Sequence, residues 1–158
     1  MKKKFVSLLV FLVFILSCAI HNVTDTVGTA ALGFEGFRGV EWGATLEQMQ
    51  SEMVFAGKNT DKKIEWYTRK DEDLSIGKAR VESIHYVFYQ DLFRRVSMVA
   101  RGADNYEALR DYLLAKYGEA ATSVEGAYTW NLEMTQIMFG YNPSTEVGLL
   151  IIQKNAQN

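Results

Sequence analysis

The sequence predicts an α+β domain of two layers, an antiparallel sheet of six to seven strands with two helices on one face. Three observations predict it. Several stretches alternate apolar and polar residues at period two, the pattern of half-buried strands. Two other segments place apolar residues at helical spacing behind residues suited to cap a helix. Short polar turns join the alternating stretches, which makes sequence neighbours antiparallel. Pro143 is the only proline, so no proline-rich hinge divides the chain.

The chain opens on a segment that stands apart from this domain. Lys2, Lys3 and Lys4 precede Phe5 to Leu16, which is apolar except for Ser7. Such a run suits the core of an export signal and falls short of the roughly 20 residues a membrane span needs. Residues 1–17 are therefore expected to be a signal peptide. Ser17 and Ala19 suit an ordinary cut after Ala19, which would release a soluble periplasmic protein. Ile15-Leu16-Ser17-Cys18 supports a second reading, because it resembles the lipobox of bacterial lipoproteins, with Leu16 where a small residue is usual. The resemblance implies a lipid on Cys18, the only cysteine in the chain, and an exported protein anchored to a membrane, the outer membrane being favoured. A single acyl chain anchors only marginally, whereas two or more anchor stably. With Cys18 acylated, no thiol remains for a disulfide, a nucleophile or a metal ligand.

Losing the leader also changes the charge. Three cations leave, so fourteen face nineteen acids, and the formal net charge moves from −2 to about −5. That balance argues against nucleic acid or an anionic lipid surface as the main partner. Residues 18–35 are small and polar, and read as a flexible tether with a typical end-to-end distance of roughly 20–25 Å. Residues 36–158 are then one domain, long enough for a real core.

Within the domain, Phe37 to Trp42 reads as a short strand. Thr45 can cap a first helix, with Gln48 completing a capping box and Leu46, Met49, Met53 and Val54 on its apolar side. Residues 62–70 alternate, with Ile64, Trp66 and Thr68 on one side and Glu65, Tyr67 and Arg69 on the other. The strongest strand pair is residues 81–100. A three-residue turn Tyr89-Gln90-Asp91 would pair Phe88 with Leu92, place Val96 and Met98 on the face of Ile84 and Tyr86, and set His85 across from Arg95. A second helix should open at Asp104, carry Tyr106, Leu109, Leu113, Leu114 and Tyr117 on its apolar side, and end at Gly118. Tyr128, Trp130 and Leu132 alternate, as do Ile137, Phe139 and Tyr141. The apolar run from Val147 to Ile152 reads as a central strand. The helices begin about 60 residues apart, which suggests two αβββ units.

Gly43, Thr45 and Gln48 also look like the Gly-x-Thr-x-x-Gln helix opening of the small lipoproteins of outer-membrane assembly. The helix-then-strands unit resembles the repeat of β-lactamase-inhibitor proteins. Both resemblances imply protein binding without catalysis, and neither assigns a binding residue.

The residues with chemical potential are few. His85 shares a face by parity with Ser83, Ser97 and Arg95, yet no third group orients its imidazole and no nucleophile elbow is present. Asp71, Asp73, Ser75 and Glu82 follow calcium-loop spacing, but Ile76 stands where such a loop needs glycine. No phosphate loop, HExxH or CxxC pattern occurs, so no cofactor, metal or catalytic residue is expected. Trp42, Tyr67, Tyr89 and Phe93 would lie on the exposed side of the sheet, where aromatic clusters favour contact with a partner. The expectation is a non-enzymatic cell-envelope lipoprotein serving as a protein-interaction or scaffold module. The alternative is a periplasmic binder of an apolar or aromatic small ligand, held between sheet and helices.

Overall fold

A computed structural model describes residues 35–155 except residue 125. The expected signal peptide, Cys18 and all but the end of the expected tether lie outside the described residues. The chain is broadly α+β and mostly antiparallel sheet, as expected, with two helices among the described residues. None of these is long and apolar enough to cross a membrane.

A small hairpin, β1 (Gly36–Phe37) and β2 (Val40–Glu41), comes first where one strand was expected. Its turn places Arg38 and Gly39 both at positive φ, the geometry of a two-residue hairpin. The first helix, α1 (Leu46–Met49), has the expected capping box: Thr45 Oγ1 accepts from the Gln48 amide, and the Gln48 side chain accepts from the Thr45 amide. It lasts only one turn, however. Met53 and Val54, expected on its apolar side, instead begin the strand β3 (Met53–Asn59). The cap starts a helix but cannot extend it. The turn is held from outside, where Leu46 N–H donates to Asp91 O and Thr45 bridges to Leu92.

The main sheet continues with β4 (Ile64–Arg69), β7 (Ser83–Tyr89) and β8 (Leu92–Arg101). Between β4 and β7 the chain makes a second small hairpin, β5 (Ser75–Ile76) and β6 (Ala79–Arg80). The second helix, α2 (Ala103–Tyr117), buries Tyr106, Leu109 and Leu113 as its spacing predicts. Gly118 ends it at φ 74, with its N–H on Leu114 O. Its cap is Gly102, so Asp104 sits inside the first turn, near the helix's positive end, rather than capping it. Four strands follow: β9 (Thr122–Val124), β10 (Ala127–Asn131), β11 (Thr135–Asn142) and β12 (Val147–Lys154).

The sheet has eight strands in the order β3-β4-β7-β8-β12-β11-β10-β9, all neighbours antiparallel. Each helix is thus followed by a meander of four main-sheet strands rather than the expected three. The two meanders join at their last strands, β8 and β12, and the order reads symmetrically outward from that pair. The additional strands are the two edges. An edge strand packs against one neighbour only, so residues such as those of β3 need not alternate, and the period-two signal is lost.

The hairpin of β7 and β8 corrects the expected register. Its turn is two residues, Gln90 and Asp91, both at positive φ, and Tyr89 faces Leu92 while Phe88 faces Phe93. A bulge at Arg94 then restores the phase, so that Tyr86 faces Val96 and Ile84 faces Met98. Val96 and Met98 share the face of Ile84 and Tyr86, as expected. His85 lies opposite Ser97 rather than Arg95, which faces Val87.

One face of the sheet is closed by a continuous core. Tyr86, Phe93, Val96, Met98, Leu109 and Leu150 are fully buried there. Over the second half of the sheet, Tyr106 of α2 stacks on Phe139 and Tyr141. Over the first half, much of the cover is hairpin. Phe37 meets Tyr86 edge-on, and Ile76, Ala79 and Val81 are buried with it. Gly77, in the turn of β5 and β6, sits at φ +59 against the Tyr112 ring, where a Cβ would come within 2.5 Å.

Candidate functional site

The opposite face of the sheet is the candidate site. Period-two pleating sends every second side chain there. Crossing the sheet, Trp66, Val87, Arg95, Gln153, Gln136 and Asn131 form one row. His85, Ser97, Ile151, Met138 and Thr129 form the next, and Ser83, Val99, Leu149, Gly140 and Ala127 the third. Val87, Val99, Ile151 and Met138 are half-buried among their neighbours, and Leu149 remains 44% exposed. The centre of this open face is therefore apolar.

Its polar groups are ordered. Gln153 Nε2 donates to Gln136 Oε1 at 3.0 Å, and Gln136 Nε2 donates to Asn131 Oδ1 at 2.9 Å. This ladder of amides runs across three strands from the side of Arg95. His85 is half-buried, and desolvation holds its imidazole below the usual histidine value, favouring the neutral form. The polar patch of Ser83, His85 and Ser97 exists by position, and Arg95 joins it one row away.

The sequence placed four aromatics on the exposed side, and the structure leaves only Tyr89 there, 46% exposed. Phe93 is fully buried, because the two-residue turn and the bulge at Arg94 put it in phase with Phe88. Trp42 stacks on Phe93 with centroids 4.9 Å apart, and its indole N–H donates to Thr135 Oγ1 at 3.0 Å, which ties the N-terminal segment to β11. Tyr67 lies on the covered face opposite Tyr86, edge-on to Phe88, and its hydroxyl donates to Glu65 at 2.6 Å. Desolvation and then Glu65 push that phenol up to about 12. The alternation of β4 is as expected, but its sides are exchanged: Tyr67, expected on the exposed side, packs on the covered face, and Trp66 is on the open face.

One feature of the covered side was not legible. Glu72 accepts from Tyr86 Oη at 2.8 Å and pairs with Arg38. Both charged side chains are largely buried, and Arg38 also reaches the backbone oxygen of Ser75. This cluster locks the two small hairpins onto β7. Desolvation, reinforced by Glu72, holds the Tyr86 phenol far above its ordinary value. A signal for the cluster would have needed the pairing of positions 38, 72 and 86, which no local spacing supplies.

No family model, no curated protein and no solved structure matches the chain. The fold and the site define an α+β protein of two antiparallel meanders with one closed and one open sheet face.

Proposed function

We propose that the chain is a non-enzymatic, exported envelope lipoprotein that docks a partner protein on its open sheet face. The observation that carries this reading is the half-exposed apolar centre formed by Val87, Val99, Leu149 and Ile151. Contiguous exposed apolar surface of this kind favours association with a partner. The lipobox-like Ile15-Leu16-Ser17-Cys18 supports a lipid anchor at Cys18, with residues 18–35 as the tether to an outer membrane. The amide ladder and His85 would form the polar rim that sets register with the partner.

Two experiments test the two halves. A photo-crosslinking residue in place of Leu149, in intact cells, is expected to give one discrete adduct that Ile151→Arg abolishes. An adduct that survives Ile151→Arg, or none at all, removes the docking reading. For the anchor, cells are fed a fatty-acid analogue, and label should enter the wild-type chain. Label that persists in a Cys18→Ser protein refutes acylation at that residue.

A further inference from the structure

At one end of the open face the sheet carries a pocket of about 520 Å³. Its apolar side is Ile64, Val87 and Tyr89, and its cationic side is Arg94, Arg95 and Lys154. The register explains the arrangement. Ile64 faces Tyr89, Val87 faces Arg95, and the bulge leaves Arg94 outside the ladder so that it joins its neighbour. No carboxylate lines this pocket. None of the three cations has an ion pair or a side-chain hydrogen bond among the described residues. By contrast Arg38, Arg69, Arg101 and Arg110 are all paired with acids. In a chain with more acids than bases, three unpaired cations around one concavity are a local reversal of charge. Lys154 also borders a neighbouring groove, which Glu133 lines, so the two arginines are the stronger pair.

We propose that this pocket binds a small amphipathic carboxylate, with its anionic head on Arg94, Arg95 and Lys154 and its apolar body against Ile64, Val87 and Tyr89. Guanidinium groups present a planar fork of donors that matches a carboxylate. The pocket falls within the size range of small-molecule sites, roughly 300–1,000 Å³. A simple inorganic anion would satisfy the arginines but leave the apolar wall wet. A neutral apolar molecule would cover the wall and leave the cations unanswered. The side-chain amide of Gln153, opposite Arg95 and held by Gln136, adds a fixed polar group at the head end. This site adjoins the proposed docking surface and shares Val87 and Gln153 with it, but it lies at the turn end of β7 and β8, away from Leu149 and Ile151, so small-molecule binding and crosslinking from position 149 can fail separately.

The test uses the full-length chain in phosphatidylcholine nanodiscs, with 4-phenylbutyrate as the probe and empty nanodiscs subtracted. Ligand-observed saturation-transfer titration gives the affinity. 4-Phenylbutyrate is expected to bind at least tenfold more tightly than 4-phenylbutan-1-ol or inorganic phosphate. Arg95→Gln should weaken it at least tenfold and Lys154→Gln severalfold, while Lys78→Gln, in the turn between β5 and β6 on the covered side, leaves it unchanged. Unchanged far-ultraviolet dichroism checks that each variant is folded, and Arg94→Gln replaces any that is not. Equal affinity for acid and alcohol, equal affinity for phosphate, unweakened binding by the folded arginine variants, or no binding at millimolar probe each overturns the proposal.

Discussion

The two faces of this sheet are built from the same strands and differ in what lies over them. The covered face carries Tyr86, Phe93, Val96 and Met98, all fully buried beneath the hairpins and α2. The open face carries their immediate sequence neighbours, His85, Arg95, Ser97 and Val99, none of them buried. The contrast teaches that hydrophobicity alone did not choose the sides. Trp66 is more apolar than Tyr67, yet Tyr67 is the one packed on the core, because Phe88 and Tyr86 stand beside it. Stability should therefore concentrate on one face and recognition on the other, and substitutions can separate the two.

The largest expected effect is Phe93→Ala. Phe93 touches Trp42, Tyr86 and Phe88, so truncation leaves a cavity and should cost about 3–5 kcal/mol. Urea unfolding measures it, and a loss below about 1 kcal/mol would break the contrast between faces. Next comes Glu72→Gln, which removes the charge facing Arg38 in a nearly buried pair and weakens the acceptor for Tyr86. A loss of about 2–3 kcal/mol is expected by the same method. Gly77→Ala should follow, at about 1–2 kcal/mol, since the new Cβ meets the Tyr112 ring at a backbone angle that favours glycine.

On the open face the order reverses. Leu149→Arg should change stability by only about 0.5 kcal/mol, because the side chain is already half in water. Ile151→Arg, on the same face, should eliminate the partner adduct formed from position 149, which gel analysis after crosslinking reads directly. The smallest effect is that of pH on His85. Desolvation favours its neutral form in the folded chain, so the unfolded chain binds the proton more readily. This contribution is complete above about pH 6.5, the ordinary histidine value, and is lost as pH falls below it. Comparing urea midpoints at pH 7.5 and 5.5, His85→Gln should show a shallower acid slope than wild type.

Much of the fold was legible because its signals are local. The capping box at Thr45 and Gln48, the stripe of Tyr106, Leu109 and Leu113, and the alternation from Ile84 to Phe88 all appear where the sequence puts them. The site was less legible. The expected three-residue turn set Arg95 across from His85, and the structure instead combines a two-residue turn with a bulge at Arg94. That one extra residue buries Phe93, keeps Arg95 on the open face and leaves Arg94 beside it.

The sequence by itself determined the period of most main-sheet strands, where the first helix begins, where the second ends, and that neighbouring strands run antiparallel. These follow from backbone sterics, capping hydrogen bonds and turn length, all confined to a few residues. Only the tertiary structure decided which side of each strand is inside, how far α1 extends, and what covers the first meander. A period of two looks the same from either face. The choice is made by residues far away in the chain, such as Trp42 on Phe93 and Phe37 on Tyr86, whose burial rewards one phase and excludes the other.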